Sequence, residues 1–105
     1  GAQGVAGQRH ALQHPVGVTF EGGLLYVADT YNSKIKIIDP ARGASVTFAG
    51  TGKHGARDGK LAEATFNEPG GLAFLNGQLY IADTNNHLIR VIDLASKQVR
   101  TLPVR

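Results

Sequence analysis

Apolar side chains come in short runs, each closed by glycine, asparagine, aspartate or proline. The runs fall at residues 16–20, 24–28, 34–39 and 45–49, and again at 70–75, 78–82, 88–93 and 98–102. Runs of this length between turn formers predict β-strands. The links are too short for parallel crossovers, so neighbouring strands should pair antiparallel. Leu24-Leu25-Tyr26-Val27-Ala28 and Leu79-Tyr80-Ile81-Ala82 are apolar on both faces, which predicts strands inside a sheet covered on both sides. Residues 34–39 alternate instead, with Lys34, Lys36 and Ile38 on one face and Ile35, Ile37 and Asp39 on the other. Gly22-Gly23 and Asn76-Gly77 are hairpin turns in the making, because both positions of each pair tolerate positive φ. Asp39-Pro40-Ala41-Arg42-Gly43 predicts a turn with proline second and a glycine exit, whereas Leu94-Ala95-Ser96 has neither.

The strand pattern repeats. Residues 14–39 align without a gap on residues 68–93, an offset of 54, and 13 of the 26 positions are identical. The identities include Pro15/Pro69, Gly17/Gly71, Phe20/Phe74, Tyr26/Tyr80, Asp29/Asp83, Thr30/Thr84 and Asn32/Asn86. A fixed period of this size marks a repeat architecture. A four-stranded antiparallel meander with two apolar faces must stack on copies of itself, which is how a β-propeller blade is covered. The expected organisation is a partial connector at 1–13, a first blade at 14–50, a connector at 51–67 and a second blade at 68–105. Within the connector, residues 61–66 could make one helical turn pinned by Leu61 and Phe66.

Three segments of each copy resemble the NHL repeat: Pro15-Val16-Gly17-Val18-Thr19-Phe20, Leu25-Tyr26-Val27-Ala28-Asp29-Thr30-Tyr31-Asn32 and Ile35-Lys36-Ile37-Ile38-Asp39, each with its counterpart in the second copy. The long connector, with Ala49-Gly50-Thr51-Gly52 and Ala64-Thr65-Phe66-Asn67, is similar to that of NHL proteins in which a thioredoxin-like domain precedes a six-bladed propeller. The resemblance implies an all-β fold of two four-stranded antiparallel NHL blades, taken from neighbouring positions of such a ring. It carries over no redox role, since the chain contains no cysteine and hence no Cys-x-x-Cys.

Composition narrows the chemistry. The chain has 105 residues, a formal charge of +3 and 42% hydrophobic residues, ordinary for a globular protein. Without cysteine there are no disulfides, thiol nucleophiles or thiolate metal sites. No apolar run approaches the ~18 residues of a membrane-spanning helix, and no signal peptide is visible. Methionine is absent too, so Gly1 is expected to arise by processing or excision.

Asp29-Thr30 with Asn32 and Asp83-Thr84 with Asn86 could be paired carboxylates for acid–base work, but their repetition assigns them to turn structure, where Asp and Asn satisfy backbone groups. His10, His14, His54 and His87 lack zinc-ligand spacing, and neither a metal nor a cofactor is expected. The binding candidates lie where the copies differ. His14 and Glu68 precede the two prolines, where the chain should reach the mouth of a central channel. Lys53, His54 and Arg57 lie in a basic stretch of the connector that lacks Gly-x-x-x-x-Gly-Lys-Ser/Thr, so no phosphate loop is inferred. Asp58 and Glu63 interrupt it, and no aromatics interleave, so nucleic-acid stacking is not expected.

Two blades cannot close a ring, and repeat arrays need about three or more units. The expected partner is the chain itself, as a homotrimer of six blades, or the rest of a longer propeller. The function expected of such a module is non-catalytic scaffolding for a protein or peptide. The alternative is an anionic ligand or RNA bound on the basic connector face. A hydrolase or lyase with a metal in the channel would need carboxylates or histidines on the inner strands, and residues 16–20 and 70–75 carry none.

Overall fold

The computed structural model describes residues 17–104. Two antiparallel sheets follow each other along the chain. The first has the order β1 (Val18–Glu21), β2 (Leu24–Asp29), β3 (Lys34–Asp39), β4 (Ala44–Ala49). The second contains β6 (Pro69–Leu75), β7 (Gln78–Asp83), β8 (Leu88–Asp93) and β9 (Gln98–Leu102), arranged as the same meander. The expected all-β, propeller-type architecture is therefore present, with one departure. A short strand from the connector, β5 (Gly59–Lys60), pairs with β9, so the second sheet has five strands rather than four.

Turn chemistry sets the registers. Gly22 and Gly23 both have positive φ, as do Asn76 and Gly77, the geometry of two-residue hairpins. These turns put Phe20 opposite Leu25 and Phe74 opposite Leu79. After β3, the Asp39 carboxylate accepts the Ala41 amide at 2.9 Å, and Gly43 exits at φ 68°. The corresponding turn of the second blade has no glycine, so Lys97 adopts φ 59°. Between the second and third strands of each blade lies one 3-10 turn, Thr30–Asn32 and Thr84–Asn86.

The core joins the two sheets. Tyr26, Ala28 and Ile35 of the first pack in one cluster with Leu79, Ile81, Ile92 and Val99 of the second. Between them sit Ala64 and Phe66 of the connector, both fully buried. Burying a phenylalanine side chain contributes roughly 1.5–3 kcal/mol, so the connector is packed structure, not a loose link. The helical turn expected at residues 61–66 is reduced to one hydrogen-bonded turn, in which the Lys60 carbonyl accepts the amides of Glu63 and Ala64, each at 3.0 Å, while Phe66 pairs as a bridge with His54.

The two second strands differ in their surroundings. Residues 26–29 of β2 are buried on both faces, as predicted. In β7 only Leu79, Ile81 and Asp83 are buried, and the alternate positions are half-exposed. The first blade is covered by the second, while no described residue covers the far face of the second.

Candidate functional site

Three places concentrate polar groups: the repeated Asp turns, the connector clasp and the joint between the blades. The turns are closed systems. Asp29 and Asp83 are buried where β2 and β7 end. Asn32 donates to the Asp29 carboxylate at 2.9 Å, and Asn86 donates to that of Asp83 at 2.7 Å. Asp83 also accepts the Asn67 amide at 2.8 Å, and Asn86 donates to the Gly55 carbonyl at 2.7 Å. The second turn therefore holds the connector, and both carboxylates accept from an asparagine of their own turn.

The clasp centres on Arg90, which the pattern of β8 disguises as one more surface cation. Its side chain is fully buried between Ile89 and Val91. One terminal nitrogen donates to Asp83 at 2.9 Å and to the Thr65 carbonyl at 2.8 Å. The other donates to Asp58 at 2.7 Å and to the Arg57 carbonyl at 2.9 Å. The guanidinium lies 5.0 Å over the centre of the Phe66 ring, within cation–π range. One planar cation thus ties β8, the Asp turn and two points of the connector, a task suited to arginine's forked donors. The first copy has Lys36 where Arg90 stands and Gly4 where Asp58 stands. Both members of the pair differ together, a signal present in the sequence.

The proposed binding residues are spread over different places. Lys53, His54 and Arg57 are exposed on the connector. Its backbone is fixed beneath them: His54 bridges to Phe66, and the Arg57 amide donates to the Thr65 hydroxyl at 2.7 Å. Glu68 lies apart from them, half-buried at the start of β6 with φ 52°, its amide donating to the Ser33 hydroxyl at 3.1 Å. His14 lies outside the described residues, so its pairing with Glu68 has no geometry. Among the described residues no group of three or more His, Cys, Asp or Glu could hold a metal.

The joint between blades is built from the repeated residues. The Thr30 hydroxyl donates across it to the Pro69 carbonyl at 2.8 Å. Tyr26 sits edge-on between Phe48, at 5.3 Å, and Phe74 of the second blade, at 4.8 Å. Burial, and then the Glu21 carboxylate, hold its phenol above its ordinary pKa. Gly17 meets the second blade so closely that a Cβ there would stand 2.0 Å from the Gly70 carbonyl oxygen.

Stacked antiparallel meanders of this kind define a β-propeller repeat protein. The NHL repeat family matches at residues 12–38 and 66–92, and the chain belongs to that family. It is 53% identical over 98 residues to human NHL repeat-containing protein 2, covering 89% of this chain and 14% of the human protein. Against the protein of the same name from Gallus gallus it is 50% identical over 104 residues, covering 94% and 14%. It is also 55% identical over 85 residues to the chloroplastic protein SUPPRESSOR OF QUENCHING 1 of Arabidopsis thaliana, covering 79% of this chain and 8% of that one. The chain thus spans about one seventh of the length of the first two relatives. Among solved structures, a protein of unknown function from Bacteroides thetaiotaomicron superposes with a TM-score of 0.72 at 27% identity, covering 78% of this chain and 21% of that one. An auxiliary nutrient binding protein from the same organism shares the fold, with a TM-score of 0.54 at 24% identity over 88% and 23%.

Proposed function

We propose that this chain is a non-catalytic propeller module whose connector and loops present a binding face to a protein or peptide, in a ring completed by further copies or by the rest of a longer propeller. The observation that carries this reading is where the repeated polar groups are used. Asp29, Asp83, Asn32 and Asn86 bond within turns, Thr30 across the blade joint, and Arg90 within the clasp. Lys53, His54 and Arg57 are exposed on a connector held down by Phe66 and Thr65, and a fixed scaffold with exposed side chains is suited to recognition.

The test is a peptide array probed with the chain, alongside metal analysis and turnover assays on ester and lactone substrates. Saturable peptide binding that falls when Lys53 and Arg57 are changed to Glu supports the module reading. Stoichiometric metal, or turnover removed by Glu68→Gln, refutes it. The exposed cations also favour a second reading, an anionic ligand or RNA on the connector face. That reading predicts retention on RNA that falls steeply with salt and is lost in the same double variant.

A further inference from the structure

We propose that Lys34 of β3 and Lys53 of the connector form one cationic seat across Gly52, and that this seat takes the carboxylates of an acidic peptide. The proposal rests on the reading of the chain as a recognition module and names the chemistry of the partner.

A close approach between blade and connector makes the seat. The half-buried Lys34 side chain ends against Gly52, where a Cβ would stand 3.0 Å from Lys34 Cε and 3.8 Å from its Nζ. Gly52 holds φ 95°, a conformation that glycine adopts without strain. Lys53 follows directly and is exposed, its amide turned onto the Thr51 hydroxyl at 3.1 Å. The segment is held on either side of these residues: the Thr51 amide donates to the Ala64 carbonyl and the Gly55 amide to the Phe66 carbonyl, each at 3.1 Å. The backbone of the seat is therefore fixed before a ligand arrives, and a preformed site loses less ordering entropy on binding.

The blade itself does not need this charge. At an offset of 54 the residue matching Lys34 is Leu88, so an apolar side chain serves the same place in the second sheet. Among the described residues the ion pairs use Arg42 and Arg90, and neither Lys34 nor Lys53 has a carboxylate in ion-pair range. Asp29 lies opposite Lys34 in the register of β2 and β3, but its carboxylate takes the Asn32 amide group. Like charges on one seat repel, and an anion between them turns that repulsion into attraction. His54 and Arg57 continue exposed along the connector, so successive carboxylates of one peptide can be met. A nucleic acid fits less well. Residues 51–57 contain no Phe, Tyr or Trp on which a base could stack. The exposed Asp58 and Glu63 would also repel a continuous phosphate backbone.

Fluorescence anisotropy with the intact protein tests this. The probes are a labelled Glu-rich dodecapeptide, its Gln analogue and a labelled single-stranded RNA, with inorganic phosphate as competitor. Saturable binding of the Glu peptide, and none of the Gln analogue, is expected. Lys34→Leu installs the residue of the second copy and should weaken binding about tenfold, the loss of one hydrogen bond to a charged group. Gly52→Ala keeps every charge but pushes the end of Lys34 aside, and should weaken binding in the same direction. Circular dichroism checks that both variants fold; if Gly52→Ala does not, Lys34→Leu decides alone. Arg42→Gln removes a charge beyond the far end of β3 and should change affinity by about twofold or less. No binding of the Glu peptide overturns the proposal. Tighter binding of the RNA overturns it in favour of a nucleic acid. Complete displacement by millimolar phosphate at constant ionic strength marks an adventitious ion only, and overturns it too. Peptide binding indifferent to Lys34→Leu overturns the seat but not the module reading. Turnover removed by Glu68→Gln, with Lys34-dependent peptide binding retained, does the reverse.

Discussion

Arg90→Met tests whether the connector is clasped to the second blade by one buried cation. The substitution keeps a long side chain over Phe66 and removes the charge. Removing one partner of a buried ion pair costs about 3–5 kcal/mol, because the other charge is left without compensation. Asp83 is the partner left behind, since it is fully buried. It retains the Asn86 side chain and the Asn67 amide, which places the expected loss at the lower end, about 3 kcal/mol. Asp58 is 47% exposed and can rehydrate, so Asp58→Asn should cost only about 1 kcal/mol or less. The Thr65 carbonyl loses the guanidinium, whereas the Arg57 carbonyl keeps the Thr65 amide at 3.0 Å. Arg90→Lys, which installs the residue of the first copy, should lose about 2 kcal/mol, since an ammonium lacks the planar fork that serves four acceptors. Urea unfolding at one fixed protein concentration reads these losses, with association held constant between variants. Double-mutant cycles should give a larger coupling for Arg90–Asp83 than for Arg90–Asp58. An Arg90→Met variant within about 0.5 kcal/mol of the parent, a surface-like value, or a larger coupling to Asp58, would refute the clasp.

Three further perturbations follow from single positions. Lys97 holds φ 59° where the first copy uses Gly43 at φ 68°, so Lys97→Gly should raise the urea midpoint by an amount equivalent to about 1 kcal/mol. Gly17→Ala drives a methyl into the Gly70 carbonyl and should cost about 1–3 kcal/mol of thermal stability by forcing the blades apart, whereas Gly71→Ala, whose methyl would meet nothing nearer than the Ala82 Cβ at 3.8 Å, should cost far less. The Tyr26 phenol is held above its ordinary pKa, chiefly by burial, so the folded state favours its neutral form. That contribution is complete below the ordinary value of about 10 and is lost as pH rises through the folded value. Urea midpoints measured from pH 8 upward should therefore fall above about pH 10, and Tyr26→Phe should flatten that fall.

Strand existence, order and turn type were legible because each is set by a local signal. A two-residue turn of Asn76-Gly77 fixes which residues face each other, and alternation along residues 34–39 fixes the faces. What stayed hidden depends on contacts between segments distant in sequence. Arg90 looks like an outward cation in an alternating strand, and only the approach of Asp58 and the Thr65 carbonyl turns its position into an interior one. The pairing of Gly59 and Lys60 with β9 is equally silent, because two residues carry no periodicity. Of the candidate site, the roles of Lys53, His54 and Arg57 as exposed groups were readable from composition. The rigidity beneath them was not, since it comes from Phe66 burial and from Thr65.

The identities and the differences between the two copies do different physical work. Gly17, Thr30 and Tyr26 meet the second blade, and the same residue types recur at Gly71, Thr84 and Tyr80. The pair that differs, Arg90 with Asp58 against Lys36 with Gly4, fixes one particular connector against one particular blade. The joint uses residue types that both copies share, whereas the clasp uses a pair that stands only in the second copy. The second blade should therefore accept its own connector in preference to that of the first copy. Exchanging residues 55–66 for residues 1–12 keeps the length and replaces Asp58 by glycine. The exchanged chain should unfold at much lower urea than the Arg90–Asp58 coupling alone accounts for, because the swap also puts histidine at the buried Ala64 position, glycine at Leu61, alanine at Thr65 and leucine at Phe66. Restoring aspartate at position 58 alone should recover the coupling and leave the packing deficit. If the exchanged chain is as stable as the parent, connector and blade are not matched, and the clasp carries no specificity.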